Sequence, residues 1–218
     1  MFEFDKGAEG SSGPWLVWAA RGTQDGQVPA KTFYVREENS KTPLPSIAEG
    51  GVILDIHSLK TGWQHGEGVK GQAPKWQFGA SPARLPEKPG DEWKKGFSMK
   101  VAIGGGQVVD WEQSGAAVWN CLTSLIPAIN AGPASDPNKL PLVRMTGAIF
   151  EEFSRGSTNT PVLEIVQWVD RPECLKSGVA AGIDAGKPEA PATAAPAPAQ
   201  TPPPAAQGFQ PGADMSGF

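Results

Sequence analysis

The sequence predicts a mainly β domain over residues 1–175 that carries one helix, followed over 176–218 by a tail that does not fold. Three observations predict this. Short runs of β-branched and aromatic residues recur between turn signals, apolar residues take up a helical spacing between Ser114 and Ile129, and beyond Lys187 the chain has no basic residue while proline and alanine dominate.

The elements follow in order. Residues 15–20 (WLVWAA) and 31–36 (KTFYVR) are β-prone and are separated by a glycine-containing Asp25-Gly26 turn signal, so they read as a first hairpin. Residues 51–59 alternate with Val52, Leu54 and Ile56 on one face, and residues 96–103 place Phe97, Met99, Val101 and Ile103 together, so both read as half-buried strands. The triplet Gly104, Gly105 and Gly106 permits a tight reversal into residues 107–111, and no Gly-Lys-Ser/Thr follows to make it a phosphate loop. Ser114 is the expected helix N-cap. From it Val118, Leu122, Leu125 or Ile126, and Ile129 line one face, and Pro127 is expected to kink or fray the last turn. Residues 142–150 and 161–169 then form a final hairpin across a polar connection at 154–160.

The tail is too poor in apolar residues to offset its ordering entropy, and its prolines lack backbone donors. A semi-extended, disordered tether ending at Phe218 is expected. The formal charge of −4 advertises no polyanion partner for the chain as a whole, so any nucleic-acid surface must be local. Two cysteines without metal spacing fit a reducing compartment, and neither a membrane-length apolar run nor the pattern of a signal peptide is present. A bacterial cytoplasmic setting with no membrane partner is expected.

A local surface of the required kind lies between residues 60 and 100. There Lys60, Lys70, Lys75, Arg84, Lys88, Lys94, Lys95 and Lys100 outnumber Glu67, Glu87, Asp91 and Glu92, and they are interleaved with Trp63, Trp76, Phe78, Trp93 and Phe97. Cations track phosphates and flat rings stack on unpaired bases, which is what a single strand needs. The glycine and proline content from Gly62 to Gly90 predicts exposed loop. The expected contacts are therefore Trp63, Lys75, Trp76, Trp93, Lys94, Lys95, Lys60 and Lys70, with Phe33, Tyr34 and Arg36 on the second strand next. Trp15, Trp18, Trp111, Trp119 and Trp168 are expected in or near the core.

Catalytic patterns are sparse. His57 and His65 are the only imidazoles and have no ligand spacing, so neither metal nor cofactor is expected. Asp55 and His57 would share a strand face as a structural pair. Glu151 and Glu152, adjacent on a strand, would point to opposite sides and could not share a proton-transfer site. No enzyme is expected.

Several strands, one helix and a closing hairpin is the order of an OB-fold, a five-stranded barrel, here with strands inserted before the helix. With its aromatic and basic stretch and a tail ending in Asp214 and Phe218, the chain resembles the single-stranded DNA-binding proteins of bacteria and bacteriophages, as a divergent member. The resemblance implies sequence-independent coating of single-stranded DNA in phage or host replication, recombination or repair. It also implies that Asp214 and Phe218 dock replication or recombination proteins, although this tail offers Asp214 alone where that family carries several acids. Two other classes fit the same composition: a phage structural or assembly protein, and a carbohydrate-binding β-module whose rings stack on sugars.

Overall fold

In a computed structural model, residues 13–66, 74–153 and 156–176 are described; they fall within one compact unit, Met1–Gly182. The tail residues, among them Asp214 and Phe218, and Lys70 lie outside the described residues. Among the described residues ten strands, numbered β1 to β10 along the chain, form one mixed sheet in the order β10-β9-β4-β7-β8-β1-β2-β3, with β5 and β6 branching from β7.

The first hairpin forms as expected from β1 (Trp15–Ala19) and β2 (Thr32–Arg36), in antiparallel register. Its turn is held by Thr23 and Asp25, whose side chains bind each other and, respectively, the Val28 and Gln27 amides. A short edge strand, β3 (Lys41–Pro43), extends it, and one helical turn, α1 (Ser46–Glu49), buries Ile47. The stretch 51–59 is not one strand. Only β4 (Val52–Leu54) pairs, and Ile56–Ser58 turns into a 3₁₀ helix, because Ser58 Oγ accepts the Lys100 amide that would otherwise extend a ladder.

The stretch expected as loop carries β5 (Lys60–His65) and β6 (Lys75–Phe78). Local propensity is overridden by tertiary packing here: Gly62 and Gly96 oppose each other in register, and this flat spot receives the Trp76 indole. A Cβ on Gly96 would stand 2.8 Å from that ring. The long strand β7 (Lys94–Ile103) runs through the expected glycine reversal, where Gly105 and Gly106 adopt positive φ, into β8 (Gln107–Ser114).

The helix α2 (Ala116–Ala131) buries Val118, Leu122 and Leu125, leaves Ile126 exposed, and runs through Pro127 to its end. Its N-cap is Gly115, not Ser114, because Ser114 still pairs with Gly96 in the β7–β8 ladder. The final hairpin is longer than expected. β9 (Lys139–Phe153) and β10 (Gly156–Asp170) absorb most of the polar connection, since Asn159 and Ser157 find partners on β1 and its loop, and Thr160 donates to Glu151. A last turn, α3 (Glu173–Lys176), follows.

The core lies between the sheet and α2. At its centre Phe33 sits 4.9 Å from Trp18 and 5.5 Å from Trp111, and Phe97 sits 4.9 Å from Trp111. Each such ring pair adds about 0.5–1.5 kcal/mol beyond its buried area. Below it, Asp55 receives two hydrogen bonds from Arg171 (2.8 and 2.9 Å), which ties the turn after β4 to the base of the final hairpin; His57 is exposed and takes no part. The expected Asp55–His57 pair is thus replaced by one spanning 116 residues.

Candidate nucleic-acid interface

Strand register sorts the expected contact residues onto two faces. Gln64 opposes Trp76 and Lys94, so Lys60, Trp76, Phe78 and Lys94 share the outer face of the sheet; Trp63 opposes Gln77 and Lys95 and shares the opposite face with Lys75. Sequence alone cannot assign these faces, because a one-residue slip exchanges them.

On the outer face, the Trp76 and Phe78 rings stack at 5.0 Å and 7°, with Lys60 5.9 Å from the Phe78 ring. Arg36 sits 5.1 Å over Trp15 further along the same face. Two acids interrupt it: Asp110 pairs with Lys100 at 3.7 Å, and Glu112 lies beneath Trp76, where burial pushes its carboxyl above the usual range.

Three expected contacts are buried instead. Phe33 is a core ring, and Tyr34 packs with Ala19 and Val28, because the face of β2 that the OB pattern would leave open is covered. Trp63 is only 9% exposed; its indole N–H donates to Pro86 (2.9 Å), and Lys88 and Lys95 lie 5.8 and 5.9 Å from its ring. It holds the following loop down and has no open face on which a base could stack. Trp93 is half-buried, 5.4 Å from the His65 ring, whose Nε2 is 3.0 Å from Glu92. Lys75 is exposed on β6.

Lys94 and Lys95 lead to a feature the sequence did not single out. The Gly115 amide donates to the Lys95 carbonyl (2.8 Å), which fixes the start of β7 against the start of α2. Two clefts meet there, sharing Gly115 and Ala116. One, about 510 Å3, is walled by Lys94, Lys95, Trp119 and Asn120; the other, about 420 Å3, runs past Arg21, Gln113, Phe153 and Thr158. The Lys95 ammonium is 5.8 Å from Trp119 as well as 5.9 Å from Trp63, so it is held between two indoles. The first turn of α2 has no acidic residue, and its unpaired amides add positive potential to the junction. Trp119, expected in or near the core, is half-buried at the cleft wall, and Arg21 lies in the turn after β1, where local composition carries no signal of a cation beside a cleft.

Glu151 and Glu152 diverge as expected: Glu151 accepts from Asn120 and Thr160, and Glu152 is exposed. Among the described residues no helix is long and apolar enough to cross a membrane. Comparison with protein-family models, curated proteins and solved structures found no match for this chain.

Proposed function

We propose that this chain is a sequence-independent single-stranded DNA-binding protein acting in phage or host DNA replication, recombination or repair, with Asp214 and Phe218 of its tail docking partner proteins. The observation that carries this reading is the double cleft at the start of α2, where Lys94, Lys95 and Arg21 stand beside the half-exposed rings of Trp119 and Phe153. Backbone phosphates would lie along the cations and unpaired bases against the rings. Lys94 belongs both to this cleft and to the outer face, so a strand leaving the cleft continues toward Trp76, Phe78 and Lys60. We read the fold as a divergent OB-type barrel. Supporting this, Trp18 Nε1 donates to Asn159 (2.8 Å), Asn159 donates to Ala20 (2.9 Å), and Arg21 donates to Ser157, which brings β10 to β1 from the far end of the sheet order.

The test is tryptophan fluorescence of the full chain titrated with an unstructured mixed-sequence single strand. Quenching is expected at low salt, with an affinity that falls on a log–log salt slope of about −2 if three cations meet phosphates. Absence of quenching at low salt overturns the reading. A second reading, an assembly protein of a phage particle, is favoured by one observation: Ile149, Phe150, Phe153 and Val166 expose large apolar side chains on the β9–β10 hairpin. It predicts self-association with no response to single strands.

A further inference from the structure

We propose that the cleft beside Trp119 is a pocket for one base, that it prefers bases carrying an amino donor over thymine, and that Asn120 sets this preference; the inference rests on the single-strand reading above. At about 510 Å3 the cleft is of small-ligand size, enough for one nucleotide and too small for a duplex. Lys95, held between the two indoles, is already placed for the phosphate of that nucleotide, and the Trp119 ring forms a flat wall for its base.

The Asn120 wall decides which base fits. Asn120 Nδ2 lies 3.1 and 3.3 Å from the two carboxylate oxygens of Glu151, and the Thr160 hydroxyl donates to the same carboxylate. A carboxylate accepts hydrogen bonds and cannot donate them, so it draws the NH2 end of the amide and repels the oxygen end. The amide is therefore fixed in one orientation, with its NH2 end against Glu151 and Oδ1 turned away from it. What Asn120 offers a base is an acceptor backed by a negative charge. An asparagine free to rotate would pair with either kind of edge; this one cannot. Cytosine and adenine meet it with exocyclic NH2 groups, whereas thymine brings the O4 acceptor in the corresponding place. The site would then carry a compositional bias on top of sequence-tolerant stacking and phosphate contacts.

The experiment compares fluorescence titrations of the full chain with oligodeoxycytidylate, oligothymidylate, and a strand of equal length in which 2-pyrimidinone, which lacks the amino group, replaces cytosine. One net hydrogen bond predicts that the cytidylate binds about three- to tenfold tighter than the thymidylate, and that the pyrimidinone strand falls to the thymidylate level. Asn120→Leu should bring the cytidylate and thymidylate affinities together. Glu151→Gln should do the same by releasing the amide. Equal affinities in the wild-type chain, or a pyrimidinone strand that keeps the tight binding, overturn the inference while leaving the proposed function standing. No binding of any of the three strands overturns both. Should Asn120→Leu fail to fold, the wild-type comparison of cytosine with 2-pyrimidinone decides the question.

Discussion

Replacing Arg171 by methionine tests the buried ion pair on which the base of the final hairpin depends. The Arg171 side chain is 15% exposed and that of Asp55 6%, so little solvent is available to screen either charge. The guanidinium meets both carboxylate oxygens, at 2.8 and 2.9 Å, and also donates to the backbone carbonyls of Pro137 (2.9 Å) and Leu175 (3.2 Å). Methionine keeps much of the volume and removes all four bonds, leaving a buried carboxylate uncompensated. Breaking such a pair from one side costs about 3–5 kcal/mol, whereas replacing both partners with apolar groups of similar size is often close to neutral. With a urea m-value of about 2 kcal/mol/M for a domain of this class, the unfolding midpoint of Arg171→Met should fall by roughly 2 M. The double variant Asp55→Leu/Arg171→Met should recover most of that loss. A fall of less than about 1 kcal/mol in the single variant would refute the reasoning, since it would mean that the charges are solvated as a surface pair is.

Three further outcomes are expected. Lys95→Met should weaken single-strand binding about tenfold and make the salt dependence shallower by about 0.7 in slope, both read from titrations at several salt concentrations. Burial holds the Glu112 carboxyl above its ordinary value. It therefore contributes stability that is complete below its unfolded pKa and is lost as pH rises through the folded one. Glu112→Gln should accordingly gain stability relative to wild type between about pH 4 and pH 7, which chemical denaturation across that range measures. Burial pushes the Cys121 thiol up to about 12, so Ellman's reagent at neutral pH should modify Cys121 only after denaturant unfolds the domain.

The variants suggested most directly by composition are not equivalent. Trp63→Ala removes an indole that anchors the Pro86 segment and should destabilise the domain by about 3–5 kcal/mol, the usual cost of deleting a buried aromatic. Any loss of binding it shows would therefore be indirect. Trp76, half-buried over Gly96 and stacked on Phe78, reports on the outer face, and Trp119 reports on the cleft.

Much of the architecture was legible because it is written in local periodicity. The first hairpin, the apolar stripe of α2 and the closing hairpin each follow from spacings of two or of three to four residues, which the backbone geometry imposes wherever the element sits, and the reversal at Gly105 and Gly106 follows from glycine's access to positive φ. The mixture of cations and rings between Lys60 and Lys100 was equally plain, because composition needs no coordinates. What the sequence could not supply was the partner of each side chain. Phe33 and Tyr34 sit on a strand whose faces are both covered, Trp63 is capped by its own lysines, and Asp55 answers an arginine 116 residues away. Lys95, Trp119 and Asn120 become one cleft only when the Gly115 amide binds the Lys95 carbonyl. Spacing along a chain fixes which residues share a face; which faces then meet is decided by long-range burial and pairing, whose energies belong to no single segment.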